Sequence, residues 1–270
     1  MDFSTIEARG MILLGCGKMG SAMLKGWLEQ GLSPTAVHVI DPAPSDWLRG
    51  TGVNINGELP EKPALLLIAV KPQMMEAALP SAADFGGGDT IILSVAAGIP
   101  IARFESVFGT DTPVIRAMPN TPAAVGRGIT AIVGNARTGP EATKLAQSLL
   151  EAVGQVVRLN SEDQMDAVTA VSGSGPAYVF HLIETLAAAG EAEGLSPELA
   201  LQLARATVAG AGALAEGSDE SPAQLRINVT SPNGTTQAAL EVLMDERAGF
   251  PALLRRAVKA AADRSRELGK

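Results

Sequence analysis

The sequence predicts an α/β protein in which an N-terminal doubly wound sheet is followed by a region built only of helices. Three observations carry this prediction. Short runs of Ile, Leu and Val recur through the first half, a glycine-rich turn follows the first run, and strand signals stop in the second half, where Ala and Leu dominate. Apolar runs that alternate with helical stretches are typical of parallel strands buried on both faces of a sheet.

Composition and charge narrow the class of protein. At 270 residues the chain is long enough for two domains. A formal charge of -8 disfavours binding to nucleic acid or to an anionic membrane and favours a small-molecule partner. The single cysteine, Cys16, cannot form an internal disulfide or a zinc site. The chain has neither a secretory signal nor about 18 uninterrupted apolar residues, so we expect a soluble cytoplasmic protein without a metal.

The first domain is expected to span residues 1–160 and to contain parallel strands separated by Ala-rich helices such as Ser21–Gln30. Each strand should be buried on both faces, because its apolar run is nearly continuous. The predicted strands are Met11–Leu14, Val37–Ile40, Leu65–Val70, Ile91–Val95, Val114–Met118 and Thr130–Val133.

The second domain is expected to span residues 161–270 and to be entirely helical. Ser161 and Gln164 have the spacing of a capping box, which predicts that a helix starts there. The Ala- and Gly-rich segment Ala209–Ala215 leaves apolar surface on more than one side, so we expect a partner chain to cover it. A monomeric helical bundle packed against its own sheet is the alternative. Breaks between the helices are predicted at Gly194, at Thr230–Thr236 and before Pro251.

A G-x-G-x-x-G motif follows the first strand and precedes a helix, with its glycines at Gly15, Gly17 and Gly20. Gly15 would allow the tight turn, Gly17 would let the backbone approach a pyrophosphate, and Gly20 would let helix and strand pack closely. The N–H groups at the helix N-terminus would bind the anion. The sequence therefore predicts a dinucleotide site in a Rossmann-like sheet.

Asp41 ends the second strand about 20 residues after this motif, where an acidic group would accept hydrogen bonds from an adenosine ribose. It favours NADH, because a carboxylate would repel a 2′-phosphate unless the loop rearranges or Arg49 helps. The alternative is that Asp41 only starts a turn before Pro42.

Four separated segments, in the same order along the chain, resemble the pyrroline-5-carboxylate reductase family. The resemblance extends from about Met11 to Leu268. The segments are AVKPQ from Ala69 to Gln73, RAMPNTPAAVGRGITAI from Arg116 to Ile132, DAVTAVSGSGPAYVF from Asp166 to Phe180, and LRINVTSPNGTTQAALEVL from Leu225 to Leu243.

The resemblance implies a function and an assembly. It implies a Rossmann domain joined to a helical dimerisation domain, with active sites built from both chains of a homodimer and, in some members, a decamer of five dimers. It also implies that NADPH, NADH or both reduce L-1-pyrroline-5-carboxylate to L-proline, which is the last step of proline biosynthesis.

The resemblance and the motif together predict the site residues. The loop Ser231–Thr236 is expected to hold the substrate carboxylate. The candidates for cofactor binding are Gly15, Cys16, Gly17, Lys18, Met19, Gly20, Asp41, Ala69, Val70, Lys71, Pro72 and Asn120, and those for substrate binding are Ser174, Ser231, Gly234, Thr235 and Thr236.

The residue types of this loop also suit the binding of a carboxylate. The hydroxyls of Ser231, Thr235 and Thr236, with N–H groups where the next helix begins, form a plausible carboxylate cradle without any Arg or Lys. Thr236 is the candidate catalytic residue, because it can hydrogen-bond the ring nitrogen and the loop holds no His or Glu. The alternative is an ordinary turn in which Thr235 or Thr236 caps a helix.

Other polar positions also have alternatives. Lys71 can neutralise cofactor charge or simply be solvated. The segment Ser172–Gly175 can line the cavity or only interrupt two helices. His38 and His181 lack companions for a relay or a metal site, so core or surface roles are expected.

Two departures from the family pattern bear on the site. Asn233 stands where members usually have Gly; Asn tolerates left-handed backbone better than most residues, so the loop can keep its geometry while substrate affinity differs. The family commonly prefers NADPH, whereas Asp41 favours NADH, so either cofactor or both are expected.

The residues argue against two rival functions. A β-hydroxyacid dehydrogenase would use a lysine of the helical domain as acid and base, but the chain has no Lys between Lys144 and Lys259. A non-catalytic NAD(P)-binding protein would have lost the hydroxyl loop, which is present here.

Overall fold

The computed structural model describes residues 2–269, which form two compact units. The first unit consists of two stretches of the chain, one that ends at Gly173 and one that begins at Ala262. The second unit is Ser174–Ala261. The predicted domain boundary after residue 160 follows the last strand, whereas the compact units divide at Gly173.

The first unit contains one eight-stranded sheet with the order β3-β2-β1-β4-β5-β6-β7-β8. The order of the first six strands is the doubly wound order of dinucleotide-binding folds, which confirms the predicted fold class. The strands are β1 (Met11–Leu14), β2 (Val37–Ile40), β3 (Asn54–Ile55), β4 (Leu65–Ile68), β5 (Ile91–Ser94), β6 (Val114–Met118), β7 (Gly128–Gly134) and β8 (Gly154–Arg158).

The helices of the first unit connect these strands. Pro34–Ala36, Pro72–Met74, Leu79–Phe85, Thr121–Val125 and Glu162–Gln164 form 3-10 turns, and Thr169–Gly173 forms a π-turn. The helices are α1 (Ser4–Arg9), α2 (Lys18–Glu29), α3 (Asp46–Arg49), α4 (Met75–Ala78), α5 (Ile101–Phe108), α6 (Pro140–Glu151) and α7 (Met165–Val168).

The sheet is buried on both faces, as its apolar runs predict. Neighbouring residues of a strand point to opposite faces, and in β1 Leu13 packs in one hydrophobic cluster while Ile12 packs in the other. Trp27 of α2 is completely buried, and its indole Nε1 donates to the carbonyl of Leu149 in α6 at 2.7 Å. This bond ties two helices together on one face.

One predicted strand direction was wrong. β7 runs antiparallel to β6, with Met118 opposite Ala131, although the remaining pairs are parallel. The segment between them holds only the 3-10 turn Thr121–Val125, and a parallel crossover needs about a dozen residues or more. The short strand β3 and the edge strand β8 were not predicted, because β3 has two residues and β8 mixes polar and apolar residues.

The second unit is helical, which confirms the prediction for this part of the chain. Ser196 caps α9, since its Oγ accepts from the N–H of Leu199 at 3.3 Å. At the crossing of α8 and α9, a side chain on Gly190 would lie 3.4 Å from Cβ of Ala200, so a small residue lets the helices approach closely. The helices are α8 (Gly175–Ala192), α9 (Pro197–Gly217), α10 (Pro222–Asn228), α11 (Thr235–Leu243) and α12 (Phe250–Leu268), of which the last ends in the first unit.

Apolar side chains lie exposed along these helices, as predicted from their composition. The exposed fractions reach 58% for Phe180, 57% for Leu214 and 71% for Val242. These exposed side chains agree with the expectation that a partner chain covers the helices. Within the described residues, no helix combines the length and apolar character that crossing a bilayer requires.

Candidate active site

The carboxyl ends of three neighbouring strands lie in register. Leu14 pairs with Ile68, and Ile68 pairs with Ser94. The residues that follow stay in register, because the N–H of Ala69 donates to the carbonyl of Leu14 at 2.8 Å and that of Val95 to the carbonyl of Ile68 at 3.0 Å. The turns after β1, β4 and β5 therefore share one edge of the sheet, where doubly wound folds bind their ligands.

Each position of the motif requires glycine for a different structural reason. Gly15 has φ +88°, and a side chain on it would lie 2.8 Å from Cγ1 of Val70. A side chain on Gly20 would lie 2.7 Å from the carbonyl oxygen of Gly15, whereas one on Gly17 would meet no atom within 4 Å. The backbone at Gly17 is thus open to an approaching group at the start of α2, and the residues present fit a dinucleotide pyrophosphate.

Asp41 braces the glycine turn. Its Oδ2 accepts from the N–H of Cys16 at 2.7 Å, and its Oδ1 accepts from the N–H of Ala43 at 2.8 Å. The second bond forms a turn around Pro42. Asp41 therefore also starts a turn, which is the alternative role that the sequence left open. Each carboxylate oxygen keeps a further lone pair that can accept a hydrogen bond.

Asn56 holds the backbone of Asp41 in place, and the sequence did not single it out. Its Nδ2 donates to the carbonyl of Asp41 at 2.7 Å, and its Oδ1 accepts from the N–H of Asp41 at 2.9 Å. Asn56 adopts φ 50°, in the left-handed region. The signal available in the sequence was the Asn56–Gly57 pair, which is a turn dipeptide.

The thiol of Cys16 is buried beneath the turn, where its Sγ lies 3.6 Å from Oγ of Ser21. Burial raises the pKa of Cys16, and the Asp41 carboxylate raises it further, while the Ser21 hydroxyl opposes the rise. The thiol therefore stays protonated at neutral pH.

Alkylation of Cys16 should test this environment directly, because the chain has only one cysteine. We expect iodoacetamide to label the folded protein at least about tenfold more slowly at pH 8 than the urea-unfolded protein, since the thiolate is the reactive form. The midpoint of the rate against pH should be higher in the folded state. Equal rates in the two states would contradict a buried thiol.

The other predicted cofactor residues lie at or beside the same edge. Lys71 is exposed and precedes the 3-10 turn Pro72–Met74. Asn120 follows β6, and its Oδ1 accepts from the N–H of Ile129 at 3.0 Å, which closes the turn into β7. Gly15–Gly20, Asp41, Ala69–Pro72 and Asn120 all follow or adjoin strand ends of the first unit.

Both histidines have ordinary partners. Nδ1 of His38 lies 2.9 Å from the carbonyl oxygen of Glu58, and exposed His181 lies 3.1 Å from a carboxylate oxygen of Glu184. Within residues 2–269, His, Cys, Asp and Glu side chains form no group of three that could hold a metal.

The loop Ser231–Thr236 lies in the second unit and leads into α11. Asn233 has φ 56°, which confirms that Asn supports the left-handed backbone here. Its N–H donates to Oε1 of Gln237 at 2.8 Å, and the N–H of Gly234 donates to the carbonyl of Ser231 at 3.0 Å. The loop is a closed turn whose shape is set largely by backbone groups.

The helix after this loop has no side-chain cap. Gly234 is its N-cap residue, and Thr235 and Thr236 are its first two helical residues. The alternative in which a threonine hydroxyl caps the helix is therefore wrong. The first N–H groups of any helix lack intrahelical partners, and the helix dipole is positive there, so this end of α11 can bind an anion.

A pocket of about 440 Å³ adjoins the loop within the second unit. Arg226 lines it, although the sequence did not single this residue out. The Thr230 hydroxyl donates to the carbonyl of Arg226 at 2.6 Å. The remaining lining residues are Ile227, Thr230, Gln237, Leu240, Glu241 and Met244.

The π-turn Thr169–Gly173, which contains Ser172, separates α7 from α8. A side chain on Gly173 would collide with the methyl end of Met118 at the end of β6. Among the described residues, Oγ of Ser172 is the buried side-chain polar atom without a hydrogen-bond partner. Ser174 precedes α8 and makes no side-chain cap.

Comparisons with known proteins identify the family. Residues 162–268 match the family model for pyrroline-5-carboxylate reductase dimerisation, and residues 11–98 match the model described as NADP oxidoreductase, coenzyme F420-dependent. A pyrroline-5-carboxylate reductase of Pseudomonas aeruginosa is 40% identical, with 94% of this chain and 95% of the relative covered. One of Synechocystis is 42% identical, with 96% and 97% covered.

This chain belongs to the pyrroline-5-carboxylate reductase family. The structure of the Coxiella burnetii pyrroline-5-carboxylate reductase superposes with a TM-score of 0.89 at 32% identity, covering 97% of this chain and 99% of that one. The Plasmodium falciparum enzyme, solved with NADP bound, gives 0.84 at 28% identity and covers 98% and 99%.

The rival dehydrogenase class shares only the fold with this reductase family member. A 3-hydroxyisobutyrate dehydrogenase of Mycobacterium tuberculosis superposes with a TM-score of 0.51 at 14% identity, covering 97% of this chain and 95% of that one. The absence of any Lys between Lys144 and Lys259 agrees with this distinction.

Proposed function

We propose that this chain reduces L-1-pyrroline-5-carboxylate to L-proline with NADPH or NADH, as the last step of proline biosynthesis. The observation that carries the proposal is the hydroxyl loop Ser231–Thr236 at the uncapped start of α11, in a member of this reductase family. The glycine turn at Gly15–Gly20 serves the dinucleotide.

The chemistry divides between cofactor and protein. When bound, the reduced nicotinamide supplies the hydride that adds to the imine carbon. The N–H groups that open α11, with the hydroxyls of Ser231 and Thr235, hold the substrate carboxylate. Thr236 then hydrogen-bonds the ring nitrogen, directly or through water, which keeps the protonated imine in place as its carbon is reduced.

The assembly is proposed to be a homodimer, with a decamer of five dimers as the larger alternative, located in the cytoplasm. Two observations support a homo-oligomer: the match of residues 162–268 to a dimerisation model and the exposed apolar side chains of α8, α9 and α11. Light scattering should give at least a dimer at micromolar concentration. A fully active monomer would overturn this part of the proposal.

The reaction itself is tested by following oxidation of NADPH and of NADH by absorbance, with and without pyrroline-5-carboxylate, and by identifying proline as the product. Substrate-dependent oxidation with either cofactor supports the proposal. Binding of either cofactor without turnover of this substrate would overturn it and favour the non-catalytic alternative.

Replacing Thr236 with alanine is expected to lower kcat/KM for the imine by about 10- to 100-fold, which is the usual cost of losing one hydrogen bond to a charged group. The dissociation constant of NADPH or NADH should not change, and Thr236→Ser should restore most of the activity. Thr143→Ala is the matched control, because Thr143 lies in α6 and its hydroxyl bonds the carbonyl of Gly139, the N-cap residue of that helix. Kinetics of Thr236→Ala equal to those of the control would remove Thr236 from the site.

A further inference from the structure

The turn after β5 lies on the half of the sheet edge that faces away from Asp41. In a doubly wound sheet the first three strands bind the adenosine half of a dinucleotide, and the strands from β4 onward bind the other half. The turn Val95–Gly98 begins in register with Gly15 and Ala69, and its first bend is held by the N–H of Ala96, which donates to Oγ of Ser94 at 3.2 Å. This turn therefore belongs to the nicotinamide half.

The end of α12 packs directly on this turn. Gly98 has φ +78°, and a side chain on it would lie 2.9 Å from Cβ of Leu268. A side chain on Gly269 would in turn lie 2.7 Å from the carbonyl oxygen of Gly98. The backbone of the turn and the last turn of the helix thus touch without room for a further atom, so movement of one must displace the other.

A hydrogen bond between side chains joins this end of the helix to α7 of the first unit. Oγ of Ser265 donates to Oδ1 of Asp166 at 2.5 Å, and Ser265 is only 4% exposed. The ion pairs Arg264–Glu267 and Arg266–Asp263 join residues of the same helix and are exposed, so they do not attach it to α7. Hydrogen bonds to a carboxylate are among the stronger ones in proteins.

We infer that Ser265 and Asp166 are positioning residues that hold the end of α12 against the turn Val95–Gly98 and thereby fix the nicotinamide half of the cofactor site. Neither residue acts on the cofactor directly. They act through the contact between Leu268 and Gly98. This contact fixes the nicotinamide end of the site, whereas Asp41 and the glycine turn fix the adenosine end.

The test compares the whole cofactor with a fragment that lacks nicotinamide. Ser265→Ala is expected to weaken binding of NADPH and NADH and to lower kcat, each by about tenfold, as for loss of one hydrogen bond to a carboxylate. The affinity for ADP-ribose, measured by calorimetry, should not change. Ser265→Thr keeps the hydroxyl and should restore both values. Ser106→Ala is the matched control, because Ser106 is exposed and its hydroxyl bonds the carbonyl of Arg103 within α5.

Coupling between the two residues gives a second measurement. Asp166→Ala should reproduce the loss, and the double variant should be no worse than either single one, because both changes remove the same bond. Normal cofactor binding and turnover in Ser265→Ala would overturn the inference. Parallel loss of ADP-ribose affinity would also overturn it, since the effect would then be general loosening of the edge.

The inference rests on the proposed function for its kinetic part only. If the wild-type chain bound cofactor but did not reduce the imine, the proposed function would fail. The difference between NADPH and ADP-ribose binding in Ser265→Ala would still decide the positioning role.

Discussion

Replacing Gly15 with alanine is expected to reduce the affinity for NADPH and NADH by at least about 100-fold, since the variant meets both backbone strain and a steric collision. The backbone φ of +88° is unfavourable for alanine, and the new Cβ would lie 2.8 Å from Cγ1 of Val70. Relief of this collision must move the β1 turn away from the β4 turn. Cofactor titration by fluorescence would measure the loss.

Gly31→Ala is the control for backbone strain alone. Gly31 has φ +95°, but a side chain there would meet no atom within 4 Å. We expect this variant to lose about 1 kcal/mol of stability and to bind cofactor normally. If Gly15→Ala bound cofactor as well as Gly31→Ala does, the glycine turn would not be the pyrophosphate site.

Neutralising Asp41 should shift the cofactor preference of the enzyme towards NADPH. The carboxylate of Asp41 is held in place by the N–H groups of Cys16 and Ala43, so its charge cannot easily move away from a 2′-phosphate. Asp41→Asn should raise the ratio of kcat/KM for NADPH to that for NADH by about tenfold or more, because close like charges near a protein surface cost several kcal/mol. Steady-state kinetics at low salt would show the largest change.

Asp46→Asn is the charge-matched control for this experiment. Asp46 is exposed at the start of α3, and the substitution Asp46→Asn removes the same charge. A similar change of ratio in both variants would indicate a general field effect. An unchanged ratio in Asp41→Asn, with weaker binding of both cofactors, would mean that Asp41 only braces the glycine turn.

Much of the fold could be predicted from local patterns. The continuous apolar runs at Met11–Leu14 and Leu65–Ile68 indicated strands buried on both faces, because no other placement removes every side chain from water. The direction of β7 could not be predicted in this way, since the run Thr130–Val133 suits either direction. The short connection after β6 decided it.

Some residues of the candidate site were singled out from the sequence, and others were not. The glycine motif was singled out by its place between a strand and a helix, and the loop Ser231–Thr236 by the resemblance to the reductase family. Asn56 and the Ser265–Asp166 pair were missed, since each depends on a partner that is distant along the chain: Ser265 and Asp166 are 99 residues apart.

The four segments that resemble the reductase family indicated the membership of that family. The sequence by itself also determined the six apolar strands, the helical second half and the position of the glycine turn. These depend on local backbone preferences and on burial patterns that each segment carries alone. Only the tertiary structure decided that Asp41 bonds Cys16 and that the end of α12 packs on Gly98. Such contacts join segments far apart in sequence, and their geometry is set by how the packed elements meet.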